Sequence, residues 1–197
     1  MEEEINNEIK IMKIASHHPN IIRFYGITKL QYEKKYSLVL ENADDGTLRD
    51  YLRNDAITFK WMEQLKFAKE IASAILWLHD DKGIVHRDLH PNNVLIHQNT
   101  IKLADFGRSS LKGTDCYNTE REEPVLNTNV KFIELYQKCW KHEPDERPNI
   151  SQVNSELNSI DSKNNNASIV PYEREESKKT KFVHSCQIDL NNIYQQN

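Results

Sequence analysis

The sequence is short of glycine, with 5 residues in 197, and of cysteine, with 3. Cys116, Cys139 and Cys186 form an odd, widely spaced set without a Cys-x-x-Cys pair, which excludes a zinc ribbon or dithiol redox motif and fits a reducing compartment. No stretch approaches the ~18 uninterrupted apolar residues of a membrane span. Met1-Glu2-Glu3-Glu4 is acidic where a signal peptide is basic and then apolar, so a cytoplasmic chain with no membrane partner is expected. Neither sign of charge dominates: 26 basic against 30 acidic residues leave a net charge of −4, and no basic tract argues for a nucleic-acid partner. A mean hydropathy of −0.76, low for a packed globule, implies that part of the length is not core. No internal repeat occurs, which excludes a solenoid.

What is present reads as alternating helix and strand signals. Ile5, Ile9 and Met12, widened by Ile11 and Ile14, have helical spacing from Glu2 to Ile14, and the leading glutamates suit a helix N-terminus. His18-Pro19-Asn20 breaks that helix, and His17 and His18 read as turn residues. Ile21 to Thr28 and Tyr36 to Leu40, rich in β-branched and aromatic residues, predict an antiparallel pair around a charged loop at Glu33-Lys34-Lys35. Asp44-Asp45-Gly46 is a turn, and Thr47 caps a short helix to Arg53. From Phe59 to Asp80, Trp61, Leu65, Ala68, Ala72, Ile75 and Leu76 line one face of a buried helix, broadened by Ile71 and Leu78 and ended by Gly83. Asn93 to Ile96 and Thr100 to Ala104, joined by His97-Gln98-Asn99, predict a tight hairpin. Val130 to Trp140 and Ser151 to Ile160 are helical again. From Asp161 the chain is polar and charged, and is expected to be a disordered or loosely helical tail.

Two segments carry chemistry: His86-Arg87-Asp88-Leu89-His90-Pro91-Asn92-Asn93 and, twelve residues after Asn93, Asp105-Phe106-Gly107. Only the predicted hairpin separates them, so Asn93 at its entry and Asp105 at its exit are expected to lie close together. An amide oxygen and a carboxylate converging beside Asp88 suit Mg²⁺ and phosphate better than zinc. The alternation of His86, Asp88 and His90 also permits a metal triad on an extended strand.

These motifs resemble those of the protein kinase family: His-Arg-Asp with Asn five positions after the Asp, then Asp-Phe-Gly. The resemblance implies that Asp88 accepts the proton of the substrate hydroxyl and that Asn93 and Asp105 hold Mg²⁺ on ATP. Arg87 would meet a phosphorylated activation loop. Glu8, in a segment similar to the kinase αC helix, would pair the ATP-binding lysine. Ser37 to Ala43 resembles strand β5 and the hinge of that family, with Leu40 as gatekeeper, Glu41 and Ala43 offering backbone groups to adenine, and Leu95 beneath the ring. Met12, His86 and Phe106 would belong to the stack that aligns the two lobes, with Gly107 a structural or regulatory residue of the Asp-Phe-Gly motif. Cys139-Trp140 and Pro144-Asp145-Glu146-Arg147-Pro148 look like the last block of the tyrosine and tyrosine-kinase-like branches, with Arg147 as its structural arginine. His90 stands where serine/threonine kinases usually carry lysine.

The resemblance spans roughly residues 1–160, which are expected to form an incomplete α+β, two-lobe kinase-like domain followed by the tail, 161–197. Seven residues precede Glu8, and the sequence contains neither a glycine-rich loop nor the Val-Ala-Ile-Lys strand. No Ala-Pro-Glu motif or αF and αG helices follow Gly107, which leaves Arg147 without the glutamate it pairs in the family unless Glu122 or Glu123 replaces it. The long helix is therefore expected to lose central support. Thr114, Tyr117 and Thr119 are candidate phosphorylation sites. The function implied is ATP- and Mg²⁺-dependent phosphoryl transfer to serine or threonine, or to tyrosine, of a protein substrate. The alternatives are a pseudokinase-like module that binds partners, such as a complete kinase, and an incomplete kinase gene product.

Overall fold

The structure, a computed structural model, describes residues 2–29, 36–54, 56, 59–111 and 128–160. The loop at 33–35, the phosphorylation candidates Thr114, Tyr117 and Thr119, Glu122, Glu123 and the tail from 161 lie outside the described residues.

Helix α1 (Glu2–Ala15) buries Ile11, Met12 and Ala15. It ends before His18-Pro19, and Asn20 to Ile22 then run alongside the strand β5 (Thr100–Leu103). The Asn20 carbonyl accepts from Leu103 N–H at 2.8 Å, Ile22 N–H donates to the Leu103 carbonyl at 2.9 Å, and Asn20 Nδ2 donates to the Ile101 carbonyl at 3.2 Å. Ile21 and Ile22 are therefore not the start of the predicted strand, because the backbone there is engaged on β5. The strand begins at Phe24, where β1 (Phe24–Lys29) pairs antiparallel with β2 (Tyr36–Leu40).

Beyond β2, Gly46 turns the chain with a left-handed φ of 75°. Thr47 and Asp50 form a reciprocal capping box on α2 (Leu48–Arg53), as the threonine before this helix led one to expect. The same turn joins β4 (Val94–His97) through Ile96 N–H to the Gly46 carbonyl at 2.9 Å. The predicted hairpin is β4 with β5, in register from Val94↔Leu103 to His97↔Thr100. Its two turn residues, Gln98 and Asn99, both have positive φ, as a tight type I′ connection requires.

Helix α3 (Trp61–Leu76) continues as a π-helical turn, Trp77–Asp81, ended by Gly83 at φ 65°. The single apolar face predicted for it divides in two. Phe67, Ala74, Ile75 and Leu78 enter a core with α1, Ile21, Ile22, the hairpin and Phe106. Leu65 and Ala72 enter a second core with Leu135 of α4 (Val130–Cys139) and Leu157 and Ile160 at α5 (Ile150–Ser159). The expected loss of support along α3 is thus met on one side by α4 and α5. Phe67 and Ala74, absent from the predicted stripe, are buried because a helix covered on opposite sides has no polar back. A short pairing of β3 (Ile84–Val85) with β6 (Ser110–Leu111) was not foreseen, since two-residue strands leave no periodic signal. Among the described residues no helix is long and apolar enough to cross a membrane.

Candidate active site

The site is built where β3 gives way to the loop before β4. His86 is buried, with Nε2 3.0 Å from the Ala104 carbonyl, and its Nδ1 accepts the Asp88 N–H at 3.4 Å. This arrangement requires the neutral ring with its proton on Nε2. Burial, the largest influence, lowers the imidazole pKa against the opposing pull of the Ala104 carbonyl, Asp105 and Asp88. With both ring nitrogens committed, His86 cannot join Asp88 and His90 around a metal, and the triad geometry is not realised. Ser109 Oγ donates to the His86 carbonyl at 3.0 Å, which ties the loop to the residues after Phe106. Arg87, partly buried, takes a left-handed φ of 67°, an unfavourable state for a residue with a Cβ.

Asn93, 8% exposed, closes the loop. Its Nδ2 donates to the Asp88 carbonyl at 2.9 Å and lies 3.4 Å from Asp88 Oδ2. Its carbonyl accepts from Ala104 N–H at 2.9 Å across the open end of the hairpin. Asp105 is the next residue, so the structure brings Asp88, Asn93 and Asp105 together by the route the hairpin predicted. Asp105 also has a left-handed backbone, φ 61°, and its Oδ1 accepts the Gly107 N–H at 3.3 Å. A Cβ on Gly107 would stand 3.3 Å from that oxygen and 4.0 Å from the Glu8 carboxylate, so a side chain there would crowd the acidic cluster. Phe106 is fully buried, 4.9 Å from the His86 ring between centroids, in the core that also holds Met12.

Glu8 faces Asp105 from α1. Burial first, and the Asp105 charge second, raise its carboxyl pKa. A guanidinium and an imidazole bracket Asp88 itself: Arg108 Nη1 is 3.5 Å from Oδ1 and His90 Nε2 3.7 Å from Oδ2. The hinge candidates lie along the end of β2. Leu40 is 39% exposed, Glu41 and Ala43 are partly buried, and Leu95, partly buried on β4, bridges to Thr47. Glu41 Oε2 is 3.0 Å from Lys102 Nζ. Arg147 is remote from this cluster. Its Nε and Nη2 donate to the Lys141 and His142 carbonyls at 2.7 and 2.9 Å, so among the described residues its hydrogen-bond partners are backbone oxygens after α4. Sequence reasoning did not single out Lys102 or Arg108. The polar residue between buried Ile101 and Leu103 marks Lys102 as pointing away from the core, but its partner 61 positions earlier leaves no local signal.

The donor set at the hairpin's open end fits magnesium. With Asn93 Nδ2 engaged on Asp88, its amide oxygen is the side-chain atom left to meet a cation, and Asp105 retains a carboxylate oxygen beyond its bond to Gly107. Two hard oxygens leave the remaining positions of an octahedral ion to water and phosphate.

Comparison with known proteins shows the family. The family described as protein kinase domain matches residues 1–124, and the chain belongs to that family. It is 34% identical over 158 residues to a leaf rust 10 disease-resistance locus receptor-like protein kinase-like protein (1.4) of Arabidopsis thaliana, covering 68% of this chain and 23% of the relative. A probable serine/threonine-protein kinase of Dictyostelium discoideum is 38% identical over 104 residues, 52% of this chain and 11% of the relative. A second Arabidopsis receptor-like kinase-like protein (1.2) is 39% identical over 113 residues, 55% of this chain and 17% of the relative. The chain spans less than a quarter of the length of each of these relatives.

Proposed function

We propose that this chain carries the phosphoryl-transfer loop of a serine/threonine protein kinase, acting on a protein substrate with ATP and Mg²⁺. The observation that supports this best is the junction of Asn93 with Asp88 on one side and with Ala104, beside Asp105, on the other. The named specificity of the Dictyostelium relative favours serine or threonine over tyrosine. In this reading the substrate hydroxyl loses its proton to Asp88 as its oxygen forms a bond to the γ-phosphorus, and the bond from phosphorus to the ADP oxygen breaks. Asn93 steadies the Asp88 loop by hydrogen bonding. Asn93 and Asp105 would hold magnesium, which supplies positive charge to the phosphates. Glu41 and Ala43 would meet adenine through their backbones, over Leu95. Met12, His86 and Phe106 keep the loop and α1 in one packed unit.

A second reading, an interaction module with little transfer activity, is favoured by one feature. Among the described residues no lysine or arginine pairs with Glu8, whose carboxylate faces the like charge of Asp105. A positioned electrostatic group is typically worth about 10²–10³ in rate, so an unpartnered Glu8 implies slow transfer.

Incubation of the purified chain with Mg²⁺, labelled ATP and a generic protein substrate separates the two. Transfer is expected, and Asp88→Asn is expected to lower it by at least about 10²-fold. Transfer no greater than that of Asp88→Asn, together with no rise in melting temperature on adding Mg·ATP, would contradict the enzymatic reading.

A further inference from the structure

Glu41 follows β2 with its own side chain standing in for its carbonyl. Facing residues at a hydrogen-bonded position of an antiparallel pair exchange two backbone bonds. Glu41 and Arg23 make only one: Glu41 N–H donates to the Arg23 carbonyl at 2.9 Å, whereas Arg23 N–H donates to Glu41 Oε2 at 3.1 Å. Lys102 Nζ holds the same carboxylate oxygen at 3.0 Å, and the two side chains are only 15% and 20% exposed. Burial, the largest single influence, acts to raise the Glu41 carboxyl pKa, but the hydrogen bonds from Lys102 and Arg23 together with the neighbouring positive charge hold the group below its ordinary value. Among the described residues, the Glu41 carbonyl consequently accepts no hydrogen bond, and Ala43 N–H donates none. The segment after β2 thus keeps one backbone acceptor and one backbone donor, two residues apart, without a partner among the described residues.

We propose that Lys102 and the Glu41 carboxylate are a positioning pair for the nucleotide base: they keep Arg23 N–H on the side chain, so that the Glu41 carbonyl stays open to the adenine amino group. The proposal rests on the nucleotide-binding reading above. Lys102 lies on β5, and β5 leads directly into Asp105. The pair therefore also sets the distance between the base-binding backbone and the residues that would hold magnesium. Neither side chain touches the nucleotide; both act through the backbone.

Glu41→Ala, Glu41→Gln and Lys102→Met in the full chain test this with three readouts: the carbonyl carbon resonance at position 41 without ligand, the affinity for ADP, and the affinity for inorganic tripolyphosphate. In Glu41→Ala the freed Arg23 N–H should close on the carbonyl. The resonance should move to that of a hydrogen-bonded carbonyl, ADP should bind about tenfold more weakly, and tripolyphosphate should bind as before. Lys102→Met should shift both in the same direction by less. Glu41→Gln, which keeps an acceptor for Arg23, should stay within about twofold of the unaltered chain. An unmoved resonance, ADP binding that all three variants leave intact, or tripolyphosphate weakening in parallel with ADP would overturn the proposal alone. No ADP binding by the unaltered chain would overturn the nucleotide reading and this proposal with it.

Discussion

His86 shows how one side chain can hold a loop by remaining uncharged. Its Nε2–H and Nδ1 serve the Ala104 carbonyl and the Asp88 N–H, and protonating Nδ1 would break the second bond inside a buried site. The unfolded chain takes up a proton near the ordinary imidazole value of 6.5, whereas the folded chain resists until lower pH. Stability from this residue is therefore complete above that value and falls as pH drops through it toward the depressed folded value. In an NMR titration the His86 ring should charge only below its ordinary value of 6.5; a ring that charges at or above that value would contradict this account. The residue types and their order, from His86 to Asn93 and then Asp105 to Gly107, were fully legible in the sequence, because side chains that meet across a hairpin lie at fixed chain separations. The left-handed backbone of Arg87 and Asp105 was not, since neither residue announces positive φ as glycine does. The engagement of Asp88 by Arg108 was equally hidden, because it depends on where an exposed side chain swings.

At the scale of elements, α3 is the shared wall between two cores. Phe67 and Ile75 face the hairpin and the candidate site, while Leu65 and Ala72 face α4 and α5. The two faces serve different purposes, so damage to one is expected to spread unequally. Leu157→Ala, which empties a buried position on α5, should cost about 2–5 kcal/mol of local stability. Amide hydrogen exchange should then accelerate in α4 and α5 well before it does in β4 and β5; uniform acceleration would show one cooperative unit instead. The helices and the hairpin were readable from apolar period and turn chemistry, with boundaries within a few residues. The division of α3 was not, because a pattern of apolar positions says how much of a helix is covered but not by how many partners. The start of β1 was misplaced for a related reason: Ile21 and Ile22 have strand-like side chains, but their backbone bonds go to β5 rather than to β2.

Across the molecule, the described residues hold the loop 86–93, the turn 105–107 and the candidate base-binding backbone in one packed frame. The segment Asn20 to Ile22 stitches α1 to β5, so Glu8, Asp105 and the hairpin are connected through backbone hydrogen bonds rather than through exposed side chains. That frame is small, and its acidic cluster of Glu8 and Asp105 is a place where added positive charge would be stabilising. The central proposal is that Asn93 and Asp105 take magnesium and nucleotide together. A crystal structure of the full chain grown with Mg²⁺ and a non-hydrolysable ATP analogue tests it most directly. The account predicts a metal ion bound by the Asn93 amide oxygen and the Asp105 carboxylate, the terminal phosphate beside Asp88, and the adenine against the Glu41 carbonyl and Ala43 N–H. Nucleotide bound elsewhere, or none at saturating concentration, would contradict it.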